Sequence, residues 1–139
     1  QIIKHYLENN YDLVTNAGAD SQRTYPRGLD VETTSFAILK EAYEKAVKTH
    51  QREHVTPYIY ENSKKIYYYK NNIDYSKYRW TLDTKEDFEL IKAIYKELYK
   101  EEHNFYFKDI LALFNKKSDL IEINKHIEQK RVLADRLFR

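Results

Sequence analysis

The chain has 139 residues, 42% hydrophobic and 33% charged, with 24 Lys and Arg against 22 Asp and Glu for a formal net charge of +2. That length is one domain or a piece of one, and the apolar fraction supports a core. The balanced charge builds no broad basic field for nucleic acid. The absence of cysteine excludes disulfides, thiolate catalysis and cysteine-type zinc sites. No apolar run approaches the roughly 18 residues of a membrane span. The expectation is a cytoplasmic protein with neither nucleic acid nor membrane as a partner. There is no Met, and Gln1 leads directly into IIKHYLENN, which reads as a fragment, a proteolytic product or a processed chain.

In chain order, Ile2, Ile3, Tyr6 and Leu7 form a short helical face ended by Asn9-Asn10, and Tyr11 to Asn16 alternates as a buried strand. A helix followed by a strand is half of a βαβ unit. Residues 17–27 make a polar loop with Gly18 and Pro26. Gly28 marks a tight backbone position, and Leu29 to Glu32 follow as a short strand. Asp30 and Glu32 share one strand face, which is either solvated or the polar wall of a pocket, since carboxylates accept bidentate bonds from hydroxyls. Thr34-Ser35 caps a helix whose apolar face is Phe36, Leu39, Tyr43 and Ala46-Val47.

His50 and His54 stand four apart, the spacing of a shared helix face. However, Pro57 disfavours helix near residue 56 and no HExxH pattern exists. Arg52, Glu53 and His54 therefore read as polar wall residues beside a substrate, or as a plain surface turn. Lys65 to Lys70, KIYYYK, is a Tyr-rich strand without the basic groove that a base-stacking platform needs. It is expected to pair antiparallel with the segment at Arg79.

RWTLDTKED, Arg79 to Asp87, reads as a buried strand running into a helix, with Trp80 and Leu82 on one face and Thr81 and Asp83 on the other. Thr84 has N-cap chemistry, and Asp87 three residues later closes a capping box. The helix over 85–101 repeats Phe88, Ile91, Tyr95 and Leu98 on one face. Asp83 thus sits at the carboxyl end of a strand, where open α/β sheets bind ligands, or it is simply part of the turn. Phe107, Ile110, Leu111 and Phe114 predict a short amphipathic helix. Leu120, Ile123 and Ile127 begin a helical tail over 119–139. No P-loop, GxGxxG or Ser/His/Asp pattern is present.

Four ordered stretches, YPRGLDVE at 25–32, REHVTPYIYEN at 52–62, RWTLDTKEDFELI from Arg79 and EINKHIEQK at 122–130, resemble the cytidylyltransferase-like sugar-nucleotide enzymes, most nearly the spore coat polysaccharide biosynthesis proteins of the SpsF type. The resemblance implies an α/β fold: the carboxyl-terminal half of a nucleotide-diphospho-sugar transferase-like, Rossmann-like three-layer architecture. A mixed sheet would be flanked by helices, with residues 1–139 as a single domain. It implies a transferase that joins CTP and an acceptor sugar into a CMP-sugar with release of pyrophosphate, and a homodimer. By the same resemblance, Mg²⁺ would be held by Asp83 with a second Asp from outside this chain. Arg79 would support phosphate or orient Asp83 through an ion pair. Arg27, Asp30 and Glu32 would border the acceptor sugar, and Arg52, Glu53, His54 and Tyr58 would shape its site. In those enzymes a GDxPLI-type segment and an earlier Gly/Arg-rich loop grip the nucleotide, and this chain contains neither. Lys85 stands where many members have Pro. A second function class stays open: a non-catalytic dimerisation or protein-interaction module, since aromatic residues are enriched in interface cores.

Overall fold

The computed structural model describes residues 1–18 and 20–128, and these form two compact units. Of the described residues, the first takes in 1–18, 20–25 and 30–74; the second takes in Pro26–Leu29 and 75–128.

The first unit is built on a three-stranded mixed sheet of β1 (Leu13–Thr15), β2 (Glu32–Thr34) and β3 (Ile66–Tyr68), in the order β2-β1-β3. β1 is fully buried at its centre. It runs antiparallel to β2, with Thr15 opposite Glu32, and parallel to β3, with Thr15 opposite Tyr68. Side chains alternate across the sheet. Leu13 and Ile66 therefore face the helices α2 (Phe36–Lys45) and α4 (Pro57–Asn62), packing with Ile38, Ala42 and Ile59. Tyr67 faces the other way, where α1 (Ile2–Leu7) places the His5 ring 4.2 Å from it. Helices on both faces of a mixed sheet make this a three-layer α/β arrangement.

Local chemistry sets the helix boundaries. The Ser35 hydroxyl accepts from the Ile38 amide at 3.2 Å and caps α2. The short α3 (Thr49–Glu53) ends before Pro57, which opens α4 at the one helical position where a missing N–H costs nothing. Pro57 separates two helices rather than removing one.

Three expectations are corrected here. β2 begins at Glu32, not Leu29, because the Val31 amide is taken by the Asn16 side chain at 2.7 Å. The Tyr-rich strand pairs parallel with β1, not antiparallel with the Arg79 segment, because α2, α3 and α4 carry the chain back across the sheet. The inner face of α2 is Ile38, Ala42 and Ala46, while Phe36 is 80% exposed and Tyr43 and Val47 also face solvent. The two alanines let the helix axis approach the sheet closely, and the large side chains turn outward.

The second unit packs α5 (Lys85–Leu98), α6 (Phe107–Lys116) and a 3₁₀ helix at Ser118–Ile123 around Tyr78 and Trp80. The two rings stack at 5.6 Å, and Phe114 meets Tyr78 edge-on at 5.0 Å. The backbone of Arg79 lies parallel to that of Arg27, with the Arg27 amide donating to the Tyr78 carbonyl at 3.0 Å and the Trp80 amide to the Arg27 carbonyl at 2.8 Å. Gly28 sits at φ 96°, and a Cβ there would lie 2.3 Å from the Trp80 carbonyl oxygen, so glycine alone fits.

The structure differs from the sequence reading in phase and length. Leu82 does not follow Trp80 inward and is 63% exposed, since only Arg79 makes a bridge and no regular pleat carries on. The inner face of α5 is Asp87, Leu90 and Ile94, with Phe88 and Tyr95 outward. The capping box makes Asp87 the first inward residue and so sets the helix phase. α5 ends at Leu98, ahead of a left-handed turn at Glu101 (φ 65°). Where a helix is expected from Asp119, the 3₁₀ segment ends at Ile123 with Asn124 as its cap, and residues 124–128 form no helix; residues 129–139 of the expected tail lie outside the described residues. Among the described residues no helix is long and apolar enough to cross a membrane.

Candidate functional site

In the second unit the candidate site is organised by Asp87, which is wholly buried. Arg79 donates from Nε to Asp87 Oδ1 at 2.9 Å and from Nη2 to Oδ2 at 2.8 Å. The Thr81 hydroxyl donates to Oδ2 at 2.7 Å, the Asp83 amide at 3.0 Å and the Thr84 amide at 3.3 Å. Asn124 Nδ2 reaches both Asp87 Oδ1 and the Arg79 carbonyl at 2.8 Å. Burial by itself raises the Asp87 pKa, but the bonds from Arg79, Thr81, Asn124 and the Asp83 amide outweigh it and hold the carboxyl well below the usual range. The Arg79 guanidinium is correspondingly raised, first by its bonds to Asp87.

Asp83 rests on this frame. Its Oδ2 accepts from Arg79 Nη2 at 3.0 Å, and its side chain is 61% exposed. The helix cap belongs to Thr84 and Asp87, whose side chains exchange bonds with each other's amides. Asp83 is therefore a solvent-facing carboxylate oriented by a fixed arginine. Among the described residues no three His, Asp or Glu side chains form a metal cage. Asp83 fits an oxygen-seeking cation as a single ligand, which suits Mg²⁺, an ion bound by one or two carboxylates together with substrate phosphates. Arg27 belongs to this unit through its backbone pairing with Tyr78 and Trp80.

In the first unit a separate polar cluster lies at the carboxyl ends of the parallel strands β1 and β3. Glu32 accepts from the Tyr60 hydroxyl at 2.5 Å and from the Thr56 hydroxyl at 2.8 Å, and Thr15 Oγ1 lies 3.2 Å from the Tyr60 oxygen. Burial, followed by the Glu32 charge, raises the Tyr60 pKa and keeps it a phenol donor. Asp30 is ion-paired with Arg23. Gly18, at φ 126°, passes so close to Tyr68 that a Cβ would meet its ring at 2.6 Å.

The structure brings Glu32 to Thr56, just past the Arg52–His54 segment. Arg52 itself lies over the Tyr43 ring at 5.3 Å, and Glu53 and His54 are exposed at the end of α3. Tyr58 lines a cavity of about 80 Å³ with Asp12, Ile38 and Glu41, away from Glu32. His50 is held by Glu61, which also accepts from Gln51 and Lys48.

No family model matches the chain. It is 35% identical over 135 residues to an uncharacterized protein of Methanocaldococcus jannaschii, covering 92% of this chain and 51% of that protein. A solved structure of a cytidylyltransferase from Leptospira borgpetersenii serovar Hardjo-bovis superposes with a TM-score of 0.75 at 28% identity, over 94% of this chain and 53% of that one. The fold is that of this cytidylyltransferase. The chain spans about half the length of both proteins it matches.

Within this cytidylyltransferase-like fold, several residues of the two clusters escape sequence reasoning: Arg23, Thr15, Thr56, Tyr60 and Asn124. Asp87 shows itself only as a helix-cap residue. The Thr84-to-Asp87 spacing was the available signal for its position; nothing in the sequence pairs Asn124 with it across 37 residues.

Proposed function

We propose that this chain is part of a sugar cytidylyltransferase of the SpsF type, acting in the cytoplasm in surface or spore coat polysaccharide biosynthesis. The observation that carries the reading is the likeness to a solved cytidylyltransferase over 94% of the chain. The four sequence motifs and the solvent-facing Asp83 carboxylate support it.

In this reading an acceptor-sugar hydroxyl oxygen bonds to the α-phosphorus of CTP. The bond from that phosphorus to the bridging oxygen breaks, pyrophosphate leaves, and the hydroxyl proton passes to solvent. Mg²⁺, when bound, neutralises charge on the phosphate oxygens. Asp83 would hold it, and Arg79 would keep Asp83 aimed, itself locked by Asp87. Arg27, Asp30, Glu32, Arg52, Glu53, His54 and Tyr58 are assigned to the acceptor.

The test is pyrophosphate release from CTP and Mg²⁺ by the complete gene product and its Asp83→Ala variant, across acidic and amino sugars. Release that falls by at least about two orders of magnitude in the variant supports the role. Unchanged release from a folded variant returns Asp83 to the turn.

A second reading, a non-catalytic dimerisation or interaction module, is favoured by one observation: Phe36 and Tyr43 stand exposed on α2, and Val47 just past its end. Exposed apolar stripes mark interaction surfaces. Sedimentation of the wild type against a Phe36→Ser/Tyr43→Ser double variant decides whether this stripe holds a homodimer together.

A further inference from the structure

Asp83 is held by a single bond, and the direction of its carboxylate decides where a cation could sit. Among the described residues the one hydrogen-bond partner of that carboxylate is Arg79, through Nη2 at 3.0 Å, and most of the side chain is in solvent. Its direction is therefore inherited from the Arg79 guanidinium. The guanidinium in turn is forked through Nε and Nη2 onto the two oxygens of Asp87. Asp87 Oδ2 is well supplied with further donors, from Thr81 and from the Asp83 and Thr84 amides. Oδ1 is not: besides Arg79 Nε, its donor among the described residues is Asn124 Nδ2 at 2.8 Å.

The same amide nitrogen donates to the Arg79 carbonyl, also at 2.8 Å. A side-chain amide has two N–H donors, so one goes to each acceptor. One buried side chain, 2% exposed, thus pins both ends of Arg79: its main chain directly, and its guanidinium through Asp87. Asn124 reaches across 45 residues of sequence from the end of the 3₁₀ segment, which Leu120 seats in the core formed by α5 and α6. We infer that Asn124 is a positioning residue for Asp83, setting the direction of the cation-holding carboxylate through Asp87 and Arg79. Groups that orient a ligating side chain commonly set metal affinity by 10–100-fold. The inference rests on the metal role given to Asp83 above and adds to it a residue that touches neither substrate nor ion.

The experiment takes the complete gene product as wild type, Asp83→Ala, Asn124→Ala and the double variant. One readout is the broadening of the Thr84 amide resonance by Mn²⁺ alone, titrated into ¹⁵N-labelled protein. The other is the Mg²⁺ concentration for half-maximal pyrophosphate release. Asn124→Ala is expected to shift both to at least about tenfold more metal while the folded spectrum is kept. It is expected to change neither once residue 83 is alanine, because it acts through that carboxylate. Asn124→Ser, with one donor for two acceptors, should fall between. Equal metal dependence in Asn124→Ala and wild type overturns the inference. So does an Asn124 effect that persists in the Asp83→Ala background, which marks general disruption. Loss of the fold in both the Ala and the Ser variants overturns it too, by making Asn124 a residue of stability alone. The transferase reading fails separately: no pyrophosphate release with any acceptor sinks it, while the Mn²⁺ titrations still decide the role of Asn124. Mn²⁺ broadening unchanged by Asp83→Ala removes the metal role and the inference with it.

Discussion

Arg79 and Asp87 meet as a two-point fork, at 2.9 and 2.8 Å, with the carboxylate wholly buried and the guanidinium nearly so. Asp83, four residues from the same arginine, takes one bond at 3.0 Å and faces solvent. Removing one member of a buried pair strands the other charge. Asp87→Ala is expected to destabilise the chain by about 3–5 kcal/mol, and Asp83→Ala by no more than about 1 kcal/mol, as for an exposed pair. Urea unfolding of both variants checks the contrast; equal losses would show that the frame is not centred on Asp87.

The same carboxylate makes stability sensitive to acid. Asp87 is held well below the usual range when folded, while in the unfolded chain it titrates near about 3.9. Its contribution is therefore present above about pH 4 and drains away as pH falls through the folded value. Asp87→Asn should flatten the stability–pH curve in that window, measured as urea midpoints across a pH series.

Asn124 ties the 3₁₀ segment to both Asp87 and the Arg79 carbonyl. Asn124→Ala removes a donor from two acceptors in a buried place, the Arg79 carbonyl and Asp87 Oδ1, and should cost about 1–3 kcal/mol. Because the residues share one network, the loss in an Asn124→Ala/Asp87→Ala double variant should fall short of the sum, which a double-mutant cycle reads directly.

Gly28→Ala combines a left-handed backbone with a 2.3 Å approach to the Trp80 carbonyl. A loss of about 1–3 kcal/mol from the backbone strain alone is expected, accompanied by a changed near-ultraviolet signal from Trp80. An unaltered melting temperature would contradict the geometry.

On α2, Phe36→Ser should change monomer stability by no more than about 0.5 kcal/mol. Ala42→Leu, a smaller change on paper, should cost about 1–3 kcal/mol by overpacking against Leu13 and Ile59. Chemical denaturation of the two variants tests which face of the helix is inside.

What the sequence determined by itself was whatever neighbouring residues decide between them. Ser35 caps α2, Thr84 and Asp87 close a box three residues long, Gly28 marks a tight position, and α5 and α6 form where apolar spacing demands helices. Each of these is a short-range hydrogen bond or a steric limit on one residue. Tertiary structure decided which helix faces turn inward, since Ala42 against Leu13 excludes Phe36 from the same place. It also decided that the Tyr-rich strand lies parallel to β1, through the helices that link them. It brought Tyr60 rather than Tyr58 to Glu32, and Asn124 to Asp87. Those choices rest on contacts between residues tens of positions apart, and their energies exist only once the chain has closed on itself.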